Sequence, residues 1–280
     1  MKSNTDGADV ERPAANGSLG KRVASSVVLA PAAMAATYVG GPVFAALIAF
    51  AATLMAYEWA RMVDRTAFTP LFYALAISGA GAFYCAADGR YSLAFTLCGV
   101  GVIAGALSAH AGARRYAWAG FGAIYILAPC VALIWLREFV ENGRALTFTL
   151  FFIVWMADIG AYFAGRFVGG PRISRALSPE KTWSGVVGGI ILGGLAGAAA
   201  TKWIYGEGSF FAFAAIGASL GLTSVLGDLA ESAFKRVFGV KDSSALIPGH
   251  GGVLDRLDGM IFATTAMTAA LFAHMLIAKL

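Results

Sequence analysis

Apolar runs long enough to cross a bilayer, about 18 residues or more, recur every 25 to 30 residues along the chain, with short polar stretches between them. Nine stretches qualify, with approximate limits 22–39, 42–60, 69–87, 91–109, 116–136, 145–165, 184–203, 209–230 and 257–278. A backbone exposed to lipid must satisfy its own hydrogen bonds, so each run reads as a helix. The pattern predicts an all-α fold, a polytopic helical bundle in a membrane with about nine transmembrane helices.

Polar positions divide this pattern into unequal halves. Over 22–140 the runs hold mostly alanine, leucine and phenylalanine, with charges at their ends, which predicts a transmembrane scaffold. Glu58 lies near the end of the second run beside Arg61 and reads as one of an interfacial ion pair. From about residue 150 ionisable and polar groups enter the runs themselves: Asp158, Arg166, Asp228, Glu231, Ser232, Lys235, Asp255 and Asp258. A charge deep in a bilayer costs about 2.5–3.5 kcal/mol on insertion scales, so such groups line a polar cavity with work to do. Residues 141–280 are therefore expected to form the catalytic region. Residues 1–21, polar with Gly, Pro and Asn, read as a disordered cytosolic tail. They lack a signal-peptide layout, so the first run is expected to be retained.

Composition agrees. The chain is 59% hydrophobic and only 13% charged, about half the share of a soluble domain. Its net charge of +5 does not point to nucleic acid, because the cations sort by loop. With the N-terminus in the cytoplasm, sixteen Lys and Arg fall inside and five (Arg90, Arg137, Arg144, Lys202 and Lys279) outside. That bias predicts cytoplasmic loops at 166–183 and 235–256, and the expected location is the plasma (inner) membrane of a bacterium. Cys85, Cys98 and Cys130 all lie within runs, at spacings that suit neither a metal site nor a disulfide framework.

Three constellations carry chemistry. Read as a helix, "GDLAESAFKR" places Asp228, Glu231, Ser232 and Lys235 at i, i+3, i+4 and i+7, on one face. The bland reading is a ladder pairing Glu231 with Lys235. Burial within the membrane favours a functional one. In "LDRLDG", Asp255 and Asp258 share a face, and with Asp228 they offer oxygen ligands for Mg²⁺. Capping of the following helix would account for one of the two. Between these segments, "IPGHGG" is a tight turn around His250, and Lys235, Arg236, Lys241 and Arg256 are expected to converge beside it on phosphate oxygens. Earlier, Asp158, Tyr162 and Arg166 fall on one helix side. "RISRALSPEKTWSG" is a basic loop whose Ser178, Lys181 and Thr182 suit a nucleoside triphosphate, without the glycine spacing of a P-loop. Gly185, Gly189, Gly193 and Gly197 form a helix-packing stripe.

In this order, Ser232, Lys235, Arg236, Lys241, Asp242, Pro248, His250, Gly251, Gly252, Asp255, Arg256 and Asp258 resemble the signature of the phosphatidate cytidylyltransferase (CDP-diacylglycerol synthase) family. The similarity covers roughly residues 150–260 by motif. It departs at Ser184, where the family commonly has glutamate, and at Gly259, where serine is common. The resemblance implies that CTP and phosphatidic acid react to give CDP-diacylglycerol and pyrophosphate. It implies Mg²⁺ on Asp228 and Asp255, with a second cation near Ser232 as a further option. Lys235 and Arg236 would neutralise the transferring and departing phosphates, and Asp258 would support the metal. Binding of substrate falls to Ser178, Lys181, Thr182, Ser232, Lys241, His250, Arg256, Asp158 and Arg166. The resemblance and the glycine stripe together imply a homodimer. The alternative is a secondary transporter of an anion or proton, built on the same buried Asp/Lys cluster. The spaced pattern of a CDP-alcohol phosphatidyltransferase is absent.

Overall fold

The computed structural model describes residues 15–108, 112–174, 176–200, 209–247 and 251–278. Its helices are α1 (Ala15–Val39), α2 (Gly41–Asp64), α3 (Pro70–Ala87), α4 (Tyr91–Ser108), α5 (Gly112–Gly122), α6 (Ala128–Glu138), α7 (Gly143–Phe167), α8 (Trp183–Ala200), α9 (Phe210–Val237) and α10 (Leu254–Ile277). Between α7 and α8 lies a small antiparallel hairpin, β1 (Arg172–Ser174) and β2 (Ser178–Thr182). The expected basic loop is thus a short strand pair. Residues 1–14 of the expected tail lie outside the described residues, and α1 begins at Ala15, within the stretch read as tail.

Among the described residues eight helices are long and apolar enough to cross a membrane, with Arg115–Glu138 counting as one. The first of the nine expected runs falls on α1. Its apolar part among the described residues, Val27–Val39, is shorter than a crossing. Large side chains such as Ile77, Leu107 and Phe211 are 72%, 80% and 81% exposed, as lipid-facing groups are and water-facing ones seldom are. The chain is a multi-span membrane protein.

Local chemistry sets the ends of these helices. Proline stands in the first turn of α2 and α3, where its missing N–H is harmless, and at Pro129, where α6 continues the helix before it. Arg65 closes α2 in the left-handed conformation, and its side chain also donates to the Phe238 carbonyl. Pro129 has a further effect. It cannot donate to the carbonyl four residues back, and the chain adopts a π-helical turn over Ala123–Leu127.

The tightest packing joins α7, α8 and α9. Small residues allow the backbones to meet: a Cβ on Gly193 would lie 2.9 Å from the Gly217 carbonyl oxygen, and one on Gly189 would lie 3.2 Å from that of Ala157. Gly197 meets the Phe213 carbonyl, and Gly185 that of Ala161. The expected glycine stripe is therefore spent inside one copy of the chain, on its own α7 and α9. Elsewhere an aromatic cluster of Trp59, Trp118, Phe121, Tyr125, Phe234 and Phe238 joins α2 and α5 to α9. The apolar first half is bolted directly to the helix that carries the acid and amine stripe.

Candidate active site

Helix periodicity puts Asp228, Glu231, Ser232 and Lys235 on one face of α9, and all four line a single cavity of about 1200 Å³. Across from them α10 contributes Asp255, Arg256 and Asp258, α7 contributes Asp158, Tyr162 and Arg166, and β2 contributes Ser178, Lys181 and Thr182. Most of the groups singled out in the sequence thus meet in one place. Arg236 and Lys241 are exposed and do not line the cavity. Arg236 instead donates through Nε to the Leu177 carbonyl at 3.3 Å, tying the hairpin to α9. His250 lies outside the described residues.

Charges in the cavity are paired across elements. Lys235 Nζ lies 3.0 Å from Glu231 Oε2 and 2.8 Å from Asp255 Oδ1. The helical ladder therefore exists, and it stands inside the cavity with a third member from α10. Asp255 also accepts from the Gly252 amide at 2.8 Å and from the Ser243 amide at 3.2 Å. Capping and site chemistry thus fall on the same carboxylate. Lys181 Nζ lies 3.1 Å from Asp228 Oδ2, so the hairpin is drawn to the middle of α9. Thr182 Oγ1 accepts from the Gly185 amide at 3.2 Å and caps α8.

The two departures from the signature have local explanations. Ser184 donates to the Gly169 carbonyl and shares a hydrogen bond of 2.9 Å with Thr182 Oγ1, so it fastens the start of α8. At Gly259 any Cβ would run into the Ser224 hydroxyl. Ser224 occupies on α9 the space that a serine on α10 would need.

Sequence reasoning missed Glu58. Instead of pairing with Arg61, Glu58 is fully buried, and its carboxylate accepts from Ser243 Oγ at 3.2 Å and Ser244 Oγ at 2.5 Å. It accepts as well from the amides of Val253 at 2.8 Å and Leu254 at 2.7 Å. These donors lie 185 to 196 residues away in sequence, beyond the reach of any local pattern. Tyr125 was also missed. It sits in the π-helical turn, 4% exposed, with no hydrogen-bond partner for its hydroxyl among the described residues.

The donor chemistry suits a hard cation. Asp228 and Asp255 each already hold a lysine ammonium, which shows that positive charge is favoured at both. Among the described residues no three His, Cys, Asp or Glu side chains gather as a metal cage. Mg²⁺ takes one or two carboxylates and completes its shell with water and substrate phosphate, and Asp228 and Asp255 are the groups here that could serve it.

At its other end the cavity is apolar. Phe44, Ile48 and Met55 of α2, Leu133 of α6, Phe151 and Trp155 of α7, and Leu29 of α1 line it. Charged and hydrocarbon surfaces share one space.

Comparison with known proteins agrees with this geometry. The chain is 33% identical over 258 residues to the phosphatidate cytidylyltransferase of Brucella suis biovar 1 (strain 1330), covering 90% of this chain and 94% of that protein. It is 34% identical over 270 residues to the phosphatidate cytidylyltransferase of Pseudomonas aeruginosa, covering 91% and 97%. To the enzyme of the same name from Haemophilus influenzae it is 44% identical over 126 residues, 44% of each chain. The family model described as the cytidylyltransferase family matches residues 20–274, so both the scaffold helices and the charged cavity fall within it, and the chain belongs to that family.

Proposed function

We propose that this protein transfers a cytidylyl group from CTP to phosphatidic acid, giving CDP-diacylglycerol and pyrophosphate for phospholipid synthesis. The observation that carries this reading is the single cavity with a charged end and an apolar end. A nucleoside triphosphate fits the first, and a diacyl phosphate, with its chains along α1, α2, α6 and α7, fits the second. An oxygen of the lipid phosphate forms the new bond to the α-phosphorus of CTP, the bond from that phosphorus to the bridging oxygen breaks, and pyrophosphate leaves. The lipid monoester is already anionic near neutral pH, so no protein nucleophile is required. What the protein supplies is the approach of two anions that repel each other.

Lys181 of β2 and Lys235 of α9 neutralise phosphate oxygens, with Arg166 and Arg256 lining the same cavity. Ser178, Thr182 and Ser232 offer hydroxyl donors in the same space. Arg236 holds the hairpin in place over the site. Asp228 and Asp255 are the groups that would hold Mg²⁺, with Asp158 and Asp258 as further carboxylates of the cavity. When bound, the ion would offset charge on the triphosphate. A second cation near Ser232, whose side chain lines the same cavity, is a further option.

Purified protein given labelled CTP, phosphatidic acid and Mg²⁺ is expected to convert the label to a lipid-soluble form, and chelation of the metal is expected to abolish the conversion. Movement of a solute across vesicles without turnover would favour a transporter instead.

The reading places the protein in the inner membrane with the hairpin and the 235–256 segment in the cytosol, where CTP is made. It is supported by the clustering of lysine and arginine in those segments. Ala245 is exposed within that segment. Ala245→Cys is expected to react with an impermeant maleimide only once the cytosolic face is opened. Labelling of intact cells from outside would reverse the topology. A homodimer rests on the family resemblance alone, since the glycine stripe packs within one chain.

A further inference from the structure

Glu58 is a carboxylate with no exposed surface, and no ion pair reaches it among the described residues. It is held instead by four donors, two hydroxyls and two backbone amides. All four belong to the segment that begins with Ser243 and ends at the first residue of α10. Val253 and Leu254 are the opening amides of that helix, where backbone N–H groups have no partner within the helix and an anion is favoured. A charge from α2 thus caps α10 from outside its own sequence.

The same contact explains the second of two paired glycines. Gly251 has φ +83°, a left-handed conformation that side chains seldom adopt. Gly252 has no such torsion, but a Cβ there would lie 2.6 Å from Glu58 Oε1 and would also strike Ser243. Its bareness lets the chain pass over the carboxylate. Immediately beyond, the Gly252 and Ser243 amides donate to Asp255, which in turn holds Lys235. The two carboxylates grip one loop from both sides, one from α2 and one from α10. Trp59, the next residue on α2, packs against Phe234, the residue before Lys235. Residues 58 and 59 therefore index α2 against α10 and α9 at once.

We propose that Glu58 is a positioning residue for cytidylyl transfer. It holds Ser243, Ser244, Val253 and Leu254 so that Asp255 and Lys235 are set at the reacting phosphates, without itself touching substrate. This rests on the function proposed above. Glu58→Gln keeps the size and shape of the side chain but turns one acceptor oxygen into a donor facing donors. Hydrogen bonds to a charged group are strong enough that its kcat is expected to fall about 10- to 100-fold. The KM for phosphatidic acid is expected to stay within about twofold, because the apolar wall is unchanged. In the same variant, amide hydrogen exchange over 243–254 is expected to quicken, while exchange in α8 stays as in the unaltered protein.

Two results would overturn the proposal. One is a variant whose folded fraction keeps the original kcat and loses only thermal stability. The other is a fall in kcat with unchanged exchange over 243–254. If the unaltered protein transfers no label from CTP, the functional reading fails, and unaltered exchange over 243–254 in Glu58→Gln would then remove the clamp as well.

Discussion

Asp255→Asn is expected to cut cytidylyl transfer at least about a hundredfold, while the protein inserts and purifies as before. Both carboxylate oxygens are in use: Oδ1 faces Lys235 at 2.8 Å and Oδ2 faces the Gly252 amide at 2.8 Å. An asparagine must turn its NH₂ toward one of these donors, so a repulsion replaces an attraction whichever way it is placed. Lys235 would be left with Glu231 as its counter-charge and would be drawn away from α10. A metal shared between Asp228 and this position would lose half its carboxylate charge. The measurement is label transfer from CTP to lipid at several Mg²⁺ concentrations, with size-exclusion behaviour as the control. The Mg²⁺ requirement is expected to rise along with the loss in rate. An unaltered rate at ordinary Mg²⁺ would remove Asp255 from the site.

The second large effect concerns folding. Gly193→Leu is expected to destabilise the protein by about 3 kcal/mol, a drop of about 6–12 °C in its unfolding temperature in mild detergent. The obstacle is backbone. A Cβ at 193 would lie 2.9 Å from the Gly217 carbonyl oxygen and 3.1 Å from the Gly221 Cα, and neither can rotate away as a side chain could. Without a strong hydrophobic drive between helices in lipid, such close approaches carry much of the association, so separating α8 from α9 forfeits it. Gly99→Leu is the matched control, because nothing lies within 4 Å of a Cβ there. Equal stability of the two variants would mean that α8 and α9 do not meet as described. Loss of Gly193 is also expected to lower activity, since α9 carries the charged stripe.

Much of the site was legible because it is local. A helix repeats every 3.6 residues, so the spacing of Asp228, Glu231, Ser232 and Lys235 determines that they share a face whatever surrounds them. The same holds for Asp158, Tyr162 and Arg166 on α7, and all of these line the cavity. The scarcity of charge likewise determined that these faces had to meet one another or a polar space, because lipid could not receive them. Those two facts, with the ordered signature from Ser232 to Asp258, were enough to identify the family.

Which faces meet was decided only in three dimensions. Glu58 looked interfacial because its sequence neighbours include Arg61, yet its partners come from residues 243–254, across the whole fold. The glycine stripe of α8 announces a close neighbour without saying whether that neighbour is a second copy or its own α7 and α9. Arg236 and Lys235 are adjacent in the chain, but adjacent helix positions point about 100° apart, so one enters the cavity and the other fastens the hairpin outside it. The apolar end of the cavity carries no motif at all. Its side chains on α2, α6 and α7 resemble every other lipid-compatible residue in the chain, and only the packing of the helices turns some of them inward.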